Sequence, residues 1–380
     1  MSHDLGPAWR RRHWLLTALA AAGAGGWSPR AGAAAPVVRA GVPLQFPRDF
    51  GSHPAYRTEW WYITGRLDPV AGGSGTLGFQ VTFFRSRVDG TGDQASPLSA
   101  RHLILAHAAL TDLAAGELLH DQRLARAGLG LAGAAEADTD VHLHDWRLRR
   151  DSLGGEGPGG RSRYTADLRA TDFALQLTLD ATQPLLLQGR AGYSRKGPLP
   201  EQASHYYSQP QLAVQGRVQR RGGEPVAVRG RAWMDHEWSE SLLAPEAVGW
   251  DWIGMSLHDG SALTAFRLRR ADGRTLWAGG SFRPPGQPAR IFTPDELRWT
   301  PGRLWRSPAT GASYPVTWTV DTPVGRFAVR ARLDAQELDG RQGSGTVYWE
   351  GLSELLDAPS GRVVGEGYLE MTGYARRMRL

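Results

Sequence analysis

Residues 226–239 read VAVRGRAWMDHEWS. In a strand, side chains point alternately to opposite faces. The even positions Val226, Val228, Ala232, Met234, His236 and Trp238 then form one apolar face. The odd positions Arg229, Arg231, Trp233, Asp235 and Glu237 form the other. This alternation specifies a strand with one buried face. Its end is unusual, because Asp235, His236 and Glu237 stand between two tryptophans. A core avoids such charges unless they are paired, and a solvated loop has no need of the indoles.

The same period recurs outward along the chain. TLGFQVTFF, RHLILAHAAL, DFALQLTLD, PQLAVQGRV, DWIGMSLHDG, YPVTWTV and GRFAVRARL are runs of strand length. Glycine, proline and Asp-Gly pairs such as Asp89-Gly90 and Asp259-Gly260 punctuate them. No helical stripe persists over several turns after residue 40. Many short strands at this spacing predict an all-β fold of sandwich or barrel type. SESLLAPEAV, residues 239–248, changes the pace and marks the predicted boundary between domains at 34–243 and 244–380.

Composition narrows the function classes. The chain has 380 residues and no cysteine, which excludes disulfides, a thiol nucleophile and cysteine-based zinc sites. The formal charge is +6, but the arginines are dispersed and Lys196 is the sole lysine. A nucleic-acid binder concentrates its charge on one face, so no nucleic-acid partner is expected. Residues 1–33 read as an export signal. Arg11-Arg12-His13-Trp14-Leu15 has the twin-arginine order, a short apolar run follows, and Ala31-Gly32-Ala33 offers a cleavage site. The apolar run is shorter than the roughly 20 residues of a membrane span. The expectation is a periplasmic or secreted protein with no transmembrane span after signal removal.

Parity also places ionisable groups on inner faces. In EWWYITGRL, Glu59 shares a face with Trp61, Ile63 and Leu67; in GWDWIGMSL, Asp251 shares one with Ile253, Met255 and Leu257. With His236, three strands each carry one ionisable group at the end of an apolar face. A lone inward acid or histidine is most often a satisfied structural group. Three of them beside tryptophans point to convergence at a barrel rim, with one acid raised toward neutrality and His236 orienting water. Asp235 is expected to face outward and anchor the turn. His142 and His144 in VHLHDW share a polar face with Asp138 and Asp140, which reads as solvated surface, not a metal site. No G-x-S-x-G elbow occurs, and the lysine of SRKGP is not placed as an S-x-x-K base.

FPRDFGSHPAYRTEWWYITGRL, LGFQVTFF, GYSRKGP, ASHYYSQPQL, GRAWMDHEWS, GWDWIGMSLHDG, YWEG and GYLEMTGY together resemble the AttH-like family of exported proteins, which includes the carotenoid 1,2-hydratases. The resemblance covers nearly the whole chain after residue 40. It implies two lipocalin-like antiparallel β-barrel domains. Members are often labelled secreted hydrolases, a label that the missing nucleophile does not support. In the hydratase branch a carboxylic acid protonates an alkene, aromatic faces stabilise the cation, and water captures it. Asp235, His236 and Trp238 match that branch's D-H-x-W element. Its tyrosine and aspartate on a following strand have no match in Ser261–Phe266, SALTAF.

The reading that results is an exported protein binding an apolar isoprenoid, carotenoid or lipid ligand, with a hydratase-type reaction and no cofactor or metal. Glu59, Asp235, His236 and Asp251 are the catalytic candidates. Trp60, Trp61, His205, Tyr206, Tyr207, Trp238, Trp250 and Trp252 are the candidate ligand contacts. Two rival readings are a non-catalytic lipid carrier and a carbohydrate-binding module with exposed tryptophan platforms.

Overall fold

The computed structural model describes residues 36–70, 75–90, 96, 99–155, 157–241, 243–341 and 345–378. The predicted export signal lies outside them. Among the described residues there are 25 strands, three short 3-10 turns and no α-helix, so no helix is long and apolar enough to cross a membrane. The protein is all-β and forms two lipocalin-like barrels.

The first sheet has thirteen strands and is nearly closed. At its centre Thr58–Pro69 lies between Leu77–Arg87 and Val226–Ser239, and the latter pairs on its other side with Ala203–Arg220. The register places Trp61 opposite His236 and Glu59 opposite Trp238. Inner faces follow the predicted parity: Trp61, Ile63, Met234 and Trp238 belong to one core with Phe79, Leu177 and Tyr207. Each large apolar side chain buried there contributes roughly 1.5–3 kcal/mol. The second sheet has ten strands and forms a half-barrel around Ile253, Met255, Trp318 and Trp349.

A bulge between Gln209 and Leu212 resets parity in Ala203–Arg220. Ahead of it Tyr207 points into the core; beyond it Leu212 and Val214 do. Gln211 has φ of +56°, a left-handed conformation that non-glycine residues seldom adopt. Its side chain accounts for the placement. The amide Nε2 donates to the carbonyls of Leu257 and Ser261 at 3.0 and 2.8 Å, and Arg231 donates to its Oε1. The bulge thereby ties the first barrel to a hairpin of the second.

A third apolar cluster joins the outer faces of the two barrels. Tyr62 and Trp233 of the first meet Trp252, Phe266, Leu352 and Tyr368 of the second. The rings of Tyr62 and Trp252 lie edge to face at 5.5 Å. Contact is close at Gly78, where a Cβ would stand 2.7 Å from Tyr368 Oη and 3.1 Å from Leu352 Cβ. The face expected to be polar and outward is therefore outward from its own barrel yet covered by the other.

Candidate functional site

The two faces of Val226–Ser239 lead to two clusters of ionisable groups. The first lies inside the first barrel. Glu59 is fully buried, and its carboxylate accepts from His236 Nε2 at 2.9 Å and from His53 Nδ1 at 2.7 Å. The Ser52 hydroxyl donates to it at 3.0 Å and Arg85 Nε at 2.8 Å, and the His53 backbone N–H adds a further bond at 2.9 Å. Burial alone would raise the Glu59 pKa, but the bonds from His236 and His53 outweigh it and hold the group well below the usual range.

Burial depresses the His236 pKa, with Glu59 partly offsetting it. The imidazole is neutral, donates from Nε2 to Glu59 and accepts at Nδ1 from the Tyr207 hydroxyl at 2.9 Å. Burial opposes charge on His53 too, but bonds to Asp49 and Glu59 raise its pKa overall. Its ring stacks on Trp238 at 3.7 Å, and that of His236 on Trp61 at 4.7 Å.

Nitrogens of His53 and His236 and an oxygen of Glu59 lie within 4.8 Å of one another, a spacing that a metal could use. The rest of the donor set does not suit a cation, because Arg85 already sets a guanidinium on the same carboxylate. The chemistry of this cluster is that of a saturated hydrogen-bond network.

The second cluster surrounds a cavity of about 290 Å³ between the barrels, at the low end for small-molecule sites. Its wall is mostly aromatic. Trp60, Tyr62 and Tyr206 come from the first barrel; Trp250, Trp252 and Phe266 come from the second. Two carboxyls face it from opposite sides. Asp235 Oδ1 accepts from Ser208 Oγ at 2.5 Å and Trp233 Nε1 at 2.7 Å. Burial nevertheless raises the Asp235 pKa to about 7. Glu370 Oε2 accepts from Trp250 Nε1 at 2.9 Å. Burial, reinforced by the charges of Asp235 and Glu237, raises Glu370 to about 7 as well. Glu370 is enclosed by protein yet keeps accessible surface, as a cavity-wall residue should.

Behind Glu370, its cross-strand partner Glu350 has both carboxyl oxygens buried without a hydrogen bond. Burial and the charge of Glu370 push the Glu350 pKa well above the normal carboxylate range.

Sequence parity brought Glu59 and His236 together, and the structure agrees. Asp251 does not join them. Its inner face belongs to the second barrel, where its carboxylate accepts from Arg267 Nε at 2.7 Å and Tyr374 Oη at 2.9 Å and forms an ion pair with Arg269, whose Nε lies 3.0 Å away. Parity tells inside from outside without saying inside which barrel. Trp61, His205, Tyr207 and Trp238 are likewise buried in the first barrel's strands, whereas Trp60, Tyr206, Trp250 and Trp252 line the cavity. Asp235 is no turn anchor; it lies within its strand and contributes to the cavity wall. Glu59 borders the cavity, but its carboxylate bonds all run to the barrel interior.

Sequence reasoning missed Glu370 and Lys196. Glu370 shares parity with Tyr368 in GYLEMTGY, a signal that could have found it. Lys196 was conspicuous only as the sole lysine.

Two linked lipocalin-like barrels enclosing a small aromatic cavity at their junction define the class of protein. The AttH-like family model matches residues 37–374, and the chain belongs to that family. A crystal structure of an AttH candidate from Nitrosomonas europaea is 44% identical, covers 89% of this chain and 99% of its own, and superposes with a TM-score of 0.80. Kievitone hydratase from Nectria haematococca has the same fold at 16% identity and a TM-score of 0.63, over 90% of this chain and 94% of its own. CghA with Sch210972 superposes at a TM-score of 0.53 and 13% identity, over 89% and 94%. No curated protein matches the sequence.

Proposed function

We propose that the inter-barrel cavity binds a small apolar, unsaturated ligand and adds water across its double bond by acid–base catalysis, in an exported protein. One observation carries this reading: Asp235 and Glu370 face a single aromatic cavity from opposite barrels, each with a pKa near 7. At neutral pH one of two coupled carboxyls can be protonated while the other is ionised.

The protonated carboxyl gives its proton to one alkene carbon, leaving a cation on the other. Ring faces of Trp250, Trp252 and Trp60 stabilise that charge by roughly 0.5–2 kcal/mol each. Water adds to the cation, and its surplus proton passes to the ionised carboxyl. The net change is alkene plus water to alcohol. The fold shared with a hydratase is consistent with this chemistry. An isoprenoid or carotenoid end group would supply such an alkene.

Incubating the purified protein with isoprenoid alkenes in 18O-labelled water tests the reaction, with mass spectrometry of the products as readout. Label in a new alcohol, lost in Asp235→Asn and Glu370→Gln, is the expected result. Binding without incorporation would overturn the enzymatic reading and leave a carrier. A carbohydrate module is disfavoured, because no described tryptophan is exposed enough to form a flat platform.

Export rests on the twin-arginine order of Arg11 and Arg12. Replacing both by lysine should hold the precursor in the cytoplasm, and normal export of that variant would overturn it.

A further inference from the structure

Lys196 is the sole lysine among 380 residues, and it lies in the wall of the inter-barrel cavity. It follows the strand Tyr193–Arg195, and its backbone N–H donates to the Gln202 carbonyl at 2.7 Å, which fixes the hairpin that presents it. Its side chain is 8% exposed. The ammonium stands 4.6 Å from the ring centre of Tyr206 in the first barrel and 4.3 Å from that of Phe266 in the second. Glu237 Oε1 lies 2.9 Å from it and is also bonded by Ser204.

An ammonium has three N–H donors and no acceptor. Glu237 is its one carboxylate partner among the described residues. The two rings offer π faces, which attract the charge without taking up N–H groups in ordinary hydrogen bonds. A buried cation with donor capacity left over is costly unless an acceptor completes it, and here the open side is the cavity.

The remaining charges select the kind of acceptor. Lys196 and Glu237 cancel. Asp235 and Glu370 hold their protons up to about pH 7 and become anions above it. A ligand carboxylate would add an unbalanced negative charge beside three acids. A cationic ligand would meet Lys196. A neutral oxygen can accept from the ammonium without either penalty.

We infer that Lys196 is the specificity-determining contact for a neutral oxygen, a hydroxyl or carbonyl, carried by an otherwise apolar ligand. The ligand class is thus oxygenated isoprenoid-like molecules, not plain hydrocarbons and not fatty acids. This inference rests on the proposed cavity as the ligand site and does not require that the ligand be converted.

The test uses the mature protein and three probes of equal chain length: farnesol, farnesene and farnesoate, titrated calorimetrically. Farnesol should bind at least about tenfold more tightly than farnesene, because a site that hydrogen-bonds an oxygen rejects the analogue lacking it. Farnesoate should bind more weakly than farnesol. The double variant Lys196→Met/Glu237→Gln removes both charges together, so no lone buried ion remains, and a thermal melt checks its fold. It should bind farnesol and farnesene alike.

Equal affinity of the wild type for farnesol and farnesene overturns the inference while leaving the cavity as the ligand site. So does tightest binding of farnesoate, or a tenfold preference that survives in a folded double variant. Failure of the wild type to bind all three overturns the inference and the proposed ligand site together. The wild-type comparison decides even where the variant does not fold.

Discussion

Glu59 and His236 are 177 positions apart in the chain and meet at 2.9 Å inside the first barrel. The contact is built by register: Trp61 opposite His236 places Glu59 two residues from the imidazole's strand partner, on the same inner face. Five donors from Ser52, His53, Arg85 and His236 then fill the carboxylate. A group so occupied has little capacity left for substrate.

Glu59→Gln should therefore cost stability more than ligand binding. It strands the Arg85 guanidinium and puts an NH2 where the carboxylate accepted. Removing one partner of a buried ion pair costs about 3–5 kcal/mol. The pH sign is consistent, because the folded Glu59 pKa is depressed. Its stabilisation is present above its unfolded value of 4.5 and lost as pH falls through the folded value. Denaturant melts at pH 7 check the size, and an unchanged unfolding free energy would show that the network is dispensable.

Asp251→Asn should behave in the same way for the second barrel. Its carboxylate is the anion between Arg267 and Arg269, and the amide would leave both guanidiniums without a counter-charge. A loss of about 3–5 kcal/mol is expected, with ligand affinity of the folded variant within about twofold of wild type. A large loss of affinity at full stability would place Asp251 in the site after all.

Gly78→Val tests the junction itself. The new side chain would have to enter space held by Tyr368 and Leu352 across the barrel interface. Overpacking of this kind costs typically about 1–3 kcal/mol. Each barrel keeps its own core, so the expected outcome is weakened ligand binding with near-native far-ultraviolet circular dichroism. Undiminished binding would argue that the cavity does not depend on how the barrels are docked.

Much of this architecture was legible in the sequence because strand parity is local. VAVRGRAWMDHEWS and EWWYITGRL each state their two faces without help from the rest of the chain. The bulge at Gln211 was not legible, since a parity reset depends on a side chain reaching Leu257 and Ser261 in another barrel. The same limit explains Asp235 and Glu237. Their polar face suggested solvent, and only docking of a second sheet turns that face into a cavity wall. Asp251 shows the converse, an inward group whose barrel the pattern does not name. Glu370 and Lys196 gain their meaning only from opposite sides of a junction that no single segment encodes.

The acid pair yields the last prediction, in which stability and rate should respond to pH in linked ways. Asp235 and Glu370 have folded pKa values of about 7, above their ordinary values of 3.8 and 4.5. Between about pH 4 and 7 the folded protein holds protons that the unfolded chain has released. The stability these groups contribute is thus fully present below their unfolded values, declines as pH rises toward 7, and is level beyond. Asp235→Asn keeps an Oδ1 acceptor for Ser208 and Trp233 and removes the buried charge. It should stabilise the protein at pH 8 by about 2–4 kcal/mol, since the buried acid is roughly a thousandfold weaker than in the unfolded chain and each tenfold is worth about 1.4 kcal/mol. At pH 4 the gain should be small. Turnover requires one carboxyl protonated and one ionised, so the rate should be bell-shaped around pH 7, with apparent values belonging to the pair. Asp235→Asn should abolish it even as the melting temperature at pH 8 rises. A variant that loses both stability and turnover at pH 8 would mark Asp235 as structural, and a rate that does not change between about pH 5 and 9 would remove the carboxyl pair from the mechanism.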